Sequence, residues 1–511
     1  MQTMAVKTII SFPENRINQC PTTFLQELAA HRIQKDFFNL HRCAKNYKLS
    51  IKMNKIKLLF MLISSILLFN LKAQNPIVQT IFTADPAPLV YNDTLFLYTT
   101  HDEQTTSGFF TMHNWQLFST TDMVNWTAYG AVASLRNFEW SERTNGAWAP
   151  HAIERNGKFY LYCPIHGDGI GVLVADRPYG PFRDPLGGRL VESNRVWDDI
   201  DPAVFIDDDG QAYLYWGNPN LYYAKLNEDM ISIDRTIGNN GIVAVDMTPE
   251  AFGAREKPDD RYTTNYEEAP WLYKRVDIYY MVFAAGGIPE IIAYSTGPSA
   301  TGPWKYGGVI MGRHPGLAFT NHPGVVDFKG NSYLFYHNEE LPGGGGFNRS
   351  VCVEQFEFNP DGSFPTIIPT REGIIKSVAN LDPYIRVEAE TIAWSEGVTI
   401  DYSEITGVFV TNINEGDYIK VRSVDFGRGA KQFQAALASE SGGGSIEIRT
   451  GGVNGKLLGT LTVENTGGWQ NWAVQGCKVK RVKGIHDLYF VFKGEGSHLF
   501  NFDWWAFENS R

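Results

Sequence analysis

One short pattern recurs five times between residues 85 and 340, and it constrains the fold more than any other feature of the chain. Each copy has a proline, a short apolar strand, a turn built on Asn, Asp or Gly, and a second strand rich in Tyr and Phe. The five prolines lie 52 to 68 residues apart, and they are Pro86, Pro150, Pro202, Pro270 and Pro323. That spacing matches one four-stranded sheet per copy, so the repeats predict a five-bladed β-propeller.

Three of the five copies place a carboxylate beside the proline, namely Asp85, Asp201 and Glu268. Because the first strand of each blade lines the axis of a propeller, these side chains are expected to meet in one pocket. Hydrolysis of a glycosidic bond uses two carboxyl groups, one to donate a proton and one to activate water or attack carbon. A third carboxylate near the donor raises the donor's pKa, since like charges resist joint ionisation. The pattern therefore predicts an enzyme, with a turn residue or a solvated acid as the alternative for each carboxylate alone.

Residues near these acids divide into candidates for the pocket and structural residues. Glu267 and Glu268 point to opposite sides of a strand, so one of them faces the pocket. The acids at residues 207–209 belong to an Asp-Gly hairpin turn and are interpreted as structural. His322 holds the axial position of the fifth copy and is a candidate to reach a cation or water, with a hydrogen-bonded structural role as the alternative. Arg349 follows a glycine-rich loop and is a candidate for sugar hydroxyls, with a surface salt bridge as the alternative.

Tryptophans beside the repeats offer flat apolar surfaces for sugar rings. Trp148 is a candidate for the substrate site, together with further tryptophans of which some are expected to be inter-blade core: Trp115, Trp197 and Trp271. The sequence has no G-x-S-x-G elbow, P-loop, HExxH or CxxC pair, so other common chemistries find little support.

The charge of the chain excludes one class of partner. Residues 1–73 carry 11 basic and 3 acidic residues, which leaves 34 basic and 53 acidic residues in the remainder. A surface this acidic disfavours nucleic acid, whose recognition depends on basic patches, whereas a neutral polysaccharide meets no such objection. Three cysteines of the remainder lie in separate strand-like segments and are expected to be buried free thiols: Cys163, Cys352 and Cys477.

A secretory signal peptide is predicted within residues 53–73. Met53 is followed by two lysines, an apolar run and the small residue Ala73, which is the order of a cleavable signal. A membrane anchor is the alternative, although the run is short for a transmembrane span. Residues 1–52 are interpreted as a mis-assigned or disordered leader, because a signal peptide belongs at the N-terminus. The mature protein is therefore expected to be bacterial and secreted or periplasmic, without a stable membrane span.

Two domains are predicted for the remainder of the chain. Residues 75–378 form the propeller, and prolines and turn residues between 359 and 383 mark a boundary. Residues 384–508 contain about eight short segments with period-2 alternation and glycine-rich separators, which indicates a β-sandwich of the jelly-roll type. The predicted fold class is all-β.

Residues 75–378 resemble glycoside hydrolase family 43 through the segments TADPAP, DDIDPAVFIDDDG, YEEAPWLYKR and TNHPGVVDFKGNSYLFYHN. The resemblance implies a five-bladed propeller and an inverting mechanism. It implies that Asp85 is the general base, that Glu268 is the general acid, and that Asp201 raises the pKa of the acid and holds it in place. A histidine like His322 takes part in an axial calcium site, mostly through water, and an arginine like Arg349 contacts the sugar.

Residues 384–508 resemble a family 6 carbohydrate-binding module through VEAE, GDYIKVRSVDFG, TGGWQNW and FNFDWWAF. The resemblance implies a structural calcium ion held by Glu388, Glu390 and Asp503. It implies a sugar site formed by Trp472 or Trp469 with Asn501. Many members have an aromatic residue where this chain has Asn412, with Phe409 as a substitute. A module that binds through another face, or serves as a spacer, is therefore the alternative.

The segments CPIHGDGIGVLVAD, YLYWGNPNLYYAKLNEDM and AAGGIPEIIAYSTGPSATGPW resemble members of family 43 that act on arabinoxylan. The expected function is an exo-acting, inverting hydrolase that removes α-L-arabinofuranosyl groups from arabinoxylan or arabino-oligosaccharides. The alternatives are a β-D-xylosidase, an endo-arabinanase and a non-catalytic sugar-binding propeller. No cofactor is expected for the chemistry, calcium is expected to be structural, and the protein is expected to be a monomer.

Overall fold

The computed structural model describes residues 74–509, apart from Thr106 and Glu192. In these residues helix is confined to a 3₁₀ turn at Leu135–Asn137 and helix α1 at Pro249–Phe252. The described part of the chain is therefore all-β, as the sequence predicts.

The predicted leader and signal segment, residues 1–73, lie outside the described residues. Among the residues that are described, no helix has the length and apolar character needed to cross a membrane.

Five sheets follow one another along residues 83–356, and the chain completes each sheet before it starts the next. The first sheet contains β1 (Thr83–Tyr91), β2 (Thr94–His101), β3 (Asn114–Thr120) and β4 (Trp126–Ser134). The second contains β5 (His151–Arg155), β6 (Lys158–Ile165) and β7 (Gly169–Ala175). The third contains β8 (Ala203–Ile206), β9 (Ala212–Trp216), β10 (Tyr222–Leu226) and β11 (Val243–Ala244). The fourth contains β12 (Tyr266–Arg275), β13 (Ile278–Ala285), β14 (Ile291–Gly297) and β15 (Lys305–Met311). The fifth contains β16 (Gly324–Phe328), β17 (Asn331–Asn338) and β18 (Ser350–Phe356).

Strand order in each sheet follows chain order, with antiparallel neighbours. The first strands also contact one another from sheet to sheet: β1 with β5, β5 with β8, β8 with β12, β12 with β16, and β16 with β1. Each of the five repeated prolines lies within or just before one of these first strands. The structure therefore brings the repeated positions toward one another, as the sequence predicts.

The hairpins that open the sheets use the turn chemistry that the repeats contain. The β1–β2 turn at Asn92 and Asp93 has positive φ at both residues, and so does the β5–β6 turn at Asn156 and Gly157. Two-residue turns of this kind match the right-handed twist of the strands that they join, and Asn, Asp and Gly adopt them at little cost. The turns thereby fix the register of the strands, including those that carry the acids.

Large apolar side chains fill the space between the sheets. One buried cluster includes Trp115, Phe138, Leu161 and Tyr280, all at 1% exposure or less, and it extends to Phe364 after the last strand of the fifth sheet. Burial of each such side chain stabilises the fold by roughly 1.5–3 kcal/mol relative to exposure. This core holds the first strands, and therefore the site, in place.

The second domain contains two sheets. Its strands are β19 (Val387–Glu388), β20 (Thr391–Ile392), β21 (Trp394–Glu396), β22 (Thr399–Ser403), β23 (Gly407–Thr411), β24 (Tyr418–Asp425), β25 (Ala430–Ala438), β26 (Ser445–Thr450), β27 (Lys456–Thr462), β28 (Ala473–Val482), β29 (Ile485–Lys493) and β30 (Asn501–Asn509). One sheet has the order β22-β23-β30-β25-β28 with β19 beside β30, and the other has the order β21-β24-β29-β26-β27. The core between them is aromatic, with Phe433, Phe490, Phe502 and Trp505 fully buried. Strand β22 has no buried residue, so its sequence shows no buried–exposed alternation.

The two domains share backbone and side-chain contacts. Strand β20 does not join either sheet of the sandwich but pairs with β4, so that Thr391 lies opposite Thr127 and Ile392 opposite Trp126. Close by, Asn125 donates its Nδ2 hydrogen to the Arg422 carbonyl and accepts the Arg422 N–H. The second domain therefore extends the first sheet of the propeller region.

Candidate active site

The three predicted carboxylates come together in the structure. Asp85 lies in β1, Asp201 immediately before β8, and Glu268 in β12. The Oδ2 atom of Asp201 accepts the N–H of Ala269 at 3.0 Å, and the charges of Asp85 and Glu268 both act on Asp201. The repeated acid positions therefore form one site, as expected from the shared register.

The backbone at these positions is unusual. Asp85, Asp201 and Ala269 have φ values of 53°, 56° and 56°, in the left-handed region that residues other than glycine rarely adopt. The pairing of β1 with β2 and of β12 with β13 shifts register at these points. Such irregularities turn side chains out of the alternation of a regular strand. They explain how acids at the starts of paired strands face one site.

Asp85 is held as an anion. Burial disfavours its charge, but the Arg349 guanidinium, assisted by the Thr100 hydroxyl, outweighs burial and places the pKa of Asp85 below its ordinary value. Arg349 Nη1 donates to Asp85 Oδ1 at 2.9 Å, and the Thr100 hydroxyl donates to Oδ2 at 2.9 Å. An ionised carboxylate at this position can accept a proton from water.

Arg349 is buried between two carboxylates. It is 4% exposed, and its Nε and Nη2 atoms donate to Asp102 at 2.9 and 3.0 Å, while Nη1 and Nη2 donate to Asp85. Its guanidinium also lies over the Phe110 ring at 4.5 Å. Arg349 is therefore placed at the predicted site, and its salt bridges are buried rather than on the surface. Sequence reasoning missed Asp102, which lies outside the repeated position.

Glu268 has the opposite electrostatic surroundings. Burial raises its pKa to about 7, and the charges of Asp85 and Glu267 act in the same direction, while a hydrogen bond from Asn218 acts against them. Burial and the charges of Glu268 and Asp85 raise the pKa of Asp201 well above its ordinary value. The site therefore pairs an ionised acid with a neutral acid near neutral pH, which is the division of roles that acid–base chemistry needs.

Glu267 faces away from this group, as predicted for adjacent strand residues. Its carboxylate forms an ion pair with Arg255. The acids of the predicted hairpin turn also have structural partners, since Asp207 and Asp208 both accept hydrogen bonds from Lys274 at 2.9 and 2.8 Å. Asp207 and Asp208 stabilise the sheets, and Glu267 affects the acid cluster only through its charge.

Glu290 is a further buried carboxyl group that sequence reasoning missed. It is 4% exposed, and its Oε2 atom accepts the N–H of Asn321 at 2.6 Å. Burial and the charge of Glu268 raise the pKa of Glu290 well above its ordinary value. The signal available in the sequence is an acid directly before two isoleucines, which is unusual for a solvated residue.

Three histidines lie beside the carboxylates, of which the sequence identified His322. Burial lowers the pKa of His151 to about 3, of His322 to about 4 and of His337 to about 3, so all three are neutral at pH 7. His337 Nδ1 accepts the Asp85 N–H at 3.3 Å, and its Nε2 bonds to the Thr320 carbonyl at 2.8 Å. His151 Nδ1 is buried without a hydrogen-bond partner. A neutral imidazole with a free nitrogen can coordinate a cation or hold a water molecule.

The tryptophans named from the sequence separate into two groups. Trp115 and Trp271 are buried at 0% and 6% exposure and belong to the core. Trp148 stacks on the imidazole of His166 with ring centroids 3.7 Å apart, and Trp197 is 57% exposed with its ring 5.0 Å from His166. Trp148 and Trp197 are therefore the two that offer an aromatic surface.

The predicted sugar residues of the second domain have internal partners. Asn501 is 3% exposed, donates its Nδ2 hydrogen to the Trp469 carbonyl at 2.8 Å and accepts the Thr411 hydroxyl at 2.7 Å. Trp469 and Trp472 are half-buried, while Phe409 is buried against Trp472 and offers no exposed ring. Asn412 is exposed.

The predicted calcium residues of the second domain lie near one another. Arg386 bonds to Glu388 at 2.8 Å and approaches Asp503 at 3.6 Å. Glu390 Oε2 and Asp503 Oδ1 are buried without a hydrogen-bond partner. Within residues 74–509, no group of three or more His, Cys, Asp or Glu side chains is arranged to hold a metal ion. Two buried carboxylate oxygens without a hydrogen-bond donor nevertheless fit the oxygen preference of calcium.

The sequence of this chain is similar to those of known proteins. The sequence matches the family model of glycosyl hydrolases family 43 over residues 73–364 and that of carbohydrate binding module (family 6) over residues 388–509. An arabinoxylan arabinofuranohydrolase of Bacillus subtilis is 35% identical over 491 residues, spanning 85% of this chain and 92% of the relative. One of the same name from Paenibacillus polymyxa is 34% identical over 85% of this chain and 74% of the relative. Xylosidase/arabinosidase 43A of Humicola insolens is 31% identical over 58% of this chain and 99% of the relative.

The fold is likewise similar to a solved structure. The glycoside hydrolase family 43 arabinoxylan arabinofuranohydrolase from Bacillus subtilis, in complex with cellotetraose, superposes with a TM-score of 0.74 at 32% identity. The match covers 86% of this chain and 98% of the other. The fold and the paired carboxyl groups define a glycoside hydrolase. The chain belongs to glycoside hydrolase family 43, with a family 6 carbohydrate-binding module after the catalytic region.

Proposed function

We propose that this protein is an exo-acting, inverting hydrolase that removes α-L-arabinofuranosyl groups from arabinoxylan or arabino-oligosaccharides. The observation that carries the chemistry is the pairing of ionised Asp85 with Glu268, whose pKa is raised to about 7. The substrate follows from the two arabinoxylan arabinofuranohydrolases that match this chain over 85% of its length.

The mechanism assigns one step to each carboxyl group. Asp85 takes a proton from a water molecule, whose oxygen attacks the anomeric carbon of the arabinofuranosyl group. Glu268 gives its proton to the leaving glycosidic oxygen as the carbon–oxygen bond breaks. Asp201 keeps the pKa of Glu268 high, because two nearby carboxyl groups resist joint ionisation. Water attacks opposite to the leaving group, so the configuration inverts.

The catalytic region is a closed five-bladed propeller in this proposal. Its support is the sequence of contacts between first strands, in which β16 returns to β1. Further support comes from the N–H of Ile77, which bonds to the Val351 carbonyl in the fifth sheet at 2.9 Å, and from that of Thr83, which bonds to the Arg349 carbonyl at 3.0 Å. The residues before β1 thus hold the last sheet beside the first.

Substrate binding is assigned to residues around the acids and on the module. Arg349, His322 and Trp148 line the catalytic site, with Trp148 supplying an aromatic face. Trp469 and Trp472, with Asn501 behind them, form the sugar site of the second domain. Because Asn501 is already bonded to Trp469 and Thr411, its contribution is to hold Trp469 in place.

Calcium has a structural role in this proposal and supplies no reacting group. Glu390 and Asp503, with Glu388 nearby, would hold one ion in the second domain, and their buried oxygens that lack a hydrogen-bond donor support this assignment. His322 would contact an axial ion through water, and the unpartnered nitrogen of the neighbouring His151 supports a ligand there. A calcium ion bound by oxygen ligands supplies positive charge that offsets the buried carboxylates.

The cellular setting follows from the segment that starts at Met53. Its order of lysines, apolar run and Ala73 supports export, so that the mature chain acts in the periplasm or outside the cell as a monomer on plant cell-wall polysaccharide.

A digest of arabinoxylan and of xylo-oligosaccharides by the mature chain tests the proposal. Arabinose is the expected product, and Glu268→Gln is expected to lower kcat at least about 10²-fold, the scale of general acid catalysis. Glu154→Gln is the control, because this carboxylate only accepts a hydrogen bond from Gly157 in the β5–β6 turn and its loss should leave kcat of the folded protein unchanged. Full activity of the Glu268→Gln variant would contradict the assignment.

A β-D-xylosidase is the second candidate, favoured by the Humicola insolens relative that carries both activities in its name. Release of xylose from xylo-oligosaccharides would support it, and release of both sugars would indicate dual specificity. Internal cleavage of arabinan would instead indicate an endo-arabinanase.

A further inference from the structure

Asn218 contacts the carboxyl group that is proposed to donate the proton. It lies in the loop between β9 and β10, and its Nδ2 atom donates to Glu268 Oε2 at 2.7 Å. Asn218 is partly buried, and it lies outside the repeated positions that reveal the three acids. This contact therefore adds a residue to the site that the repeats do not contain.

The orientation of the Asn218 amide is fixed from its other side. The Tyr262 hydroxyl donates to Asn218 Oδ1 at 3.0 Å, and Arg261 Nη2 donates to the same oxygen at 3.4 Å. A guanidinium has donors and no acceptor, so the amide oxygen must face Arg261 and the amide nitrogen must face Glu268. Arg261 is itself held by Asp198 at 2.9 Å. The loop before β12 thus controls which end of Asn218 meets the acid.

We propose that Asn218 is a positioning residue for Glu268, with Arg261 and Tyr262 setting its orientation, an inference that rests on the proposed function. Because the Asn218 N–H occupies Oε2, the transferable proton of Glu268 is carried by Oε1. When that proton passes to the glycosidic oxygen, Glu268 becomes a carboxylate, and the hydrogen bond from Asn218 stabilises the new charge. The amide therefore selects the donating oxygen and favours the transfer.

The charged groups around Glu268 also affect its ionisation, so their contacts must be compared with that of the neutral Asn218 amide. The charges that act on Glu268 from the packed elements are those of Asp85, Glu267 and Arg349, and Glu268 in turn raises the pKa of Asp201 and of Glu290. Arg349 is committed to Asp85 and Asp102, whereas Asn218 is bonded directly to Glu268. Asn218 therefore provides direct stabilisation of the carboxylate in a site dominated by negative charge.

The pH profile of arabinose release tests the inference. Asn218→Ala is expected to lower kcat about tenfold and to change KM by no more than about twofold. The alkaline limb of kcat/KM should move to higher pH by about one unit, because loss of the hydrogen bond raises the pKa of Glu268. Tyr262→Phe should shift the limb in the same direction by a smaller amount. Asn227→Ala and Tyr384→Phe are matched controls that each remove a remote hydrogen bond. An unchanged limb in Asn218→Ala overturns the inference.

A second measurement separates this inference from the substrate assignment. Infrared difference spectra of the whole mature protein, with Glu268→Gln as the reference, report the protonated carboxyl group of Glu268 without any substrate. The midpoint of its titration, which is the pH at which half of the group is ionised, should be higher in Asn218→Ala than in the wild type. An equal midpoint overturns the positioning role. A shifted midpoint in a protein that releases no arabinose supports the role and contradicts the proposed substrate.

Discussion

Asp85 and Glu268 occupy the same buried site and differ in the groups that face them. Arg349 favours the charged form of Asp85, while burial and neighbouring carboxylates favour the neutral form of Glu268. Activity should rise with pH through the pKa of Asp85, below the ordinary value of about 3.9, and fall through about 7 as Glu268 ionises. The dependence of kcat/KM on pH between 3 and 9 checks this, and an alkaline limb at pH 4–5 would contradict it.

Arg349 is also expected to dominate local stability. Arg349→Met leaves Asp85 and Asp102 buried without their cation, which should lower the free energy of unfolding by about 3–5 kcal/mol in urea titrations. Because the folded-state pKa of Asp85 is lowered, its stabilising contribution is present above the unfolded pKa and is lost as pH falls through the folded pKa. The loss in Arg349→Met should therefore be largest near neutral pH.

Arg371→Met is the control for this effect. Arg371 pairs with Glu340 but is 73% exposed, so its loss should change the free energy of unfolding by about 0–1 kcal/mol. Equal losses in the two variants would show that burial of Arg349 has no special consequence.

Sequence reasoning located the acids beside the repeats, together with Arg349, and missed other residues of the site. Asp85 and Asp201 directly precede a repeated proline and Glu268 lies two residues before one, so the repeats predict that the three acids meet. Asp102, Glu290 and Asn218 reach the site from a strand end and from loops, and nothing in their local sequence reveals their distant partners. Residues of this second kind become visible once the sheets are packed together.

At the level of elements, turns and strand pairs followed their local sequence closely. Paired Asn, Asp and Gly residues mark the hairpins, because positive φ is accessible to them. The short strands of the second domain were harder to predict, since β19 to β23 have two to five residues each and give too little periodicity. The pairing of β20 with β4 could not be predicted from local sequence, because the two strands lie more than 250 residues apart in the chain.

Strands β19 and β30 carry Glu388 and Asp503 of the proposed calcium site, and Glu390 lies in the turn after β19. Chelation with EGTA should lower the Tm of the mature protein, and added calcium should restore it, since an ion that binds the folded state stabilises it by about 2.7 kcal/mol at 100 times Kd. A Glu390→Gln, Asp503→Asn double variant removes the two buried carboxylates proposed to hold the ion, so its Tm should respond less to calcium.

The stabilities of the wild type and the double variant in EGTA provide a second test of the calcium site. Burial raises the pKa of Asp503 to about 6 and that of Glu390 well above its ordinary value, so charge is unfavourable there without a cation. The double variant should then be at least as stable as the wild type in EGTA. An equal calcium response in both proteins would contradict the site at Glu390 and Asp503.

At the scale of the whole molecule, the two domains are expected to depend on each other. A chain of residues 74–378 leaves the edge of β4 unpaired and exposes apolar residues that pack at the junction, such as Trp126 and Ile77. Exposed edges invite pairing with other chains, so this fragment should aggregate on size-exclusion chromatography. Trp469→Ala in the full mature chain is the control and should remain monodisperse. A monodisperse, fully active fragment would contradict the dependence.

The strand pair of β20 with β4 also affects how the enzyme would work on a solid polymer. When a flexible linker joins a binding module to a catalytic domain, the module can occupy a volume that increases with linker length. The effective concentration of the bound polymer at the active site then falls as the linker becomes longer. Here a shared sheet replaces that freedom, so a polymer held by the module meets the acids at one set distance. Catalysis on an anchored chain would then favour branches spaced at that distance, and the pattern of residual branches on digested fibres would record it.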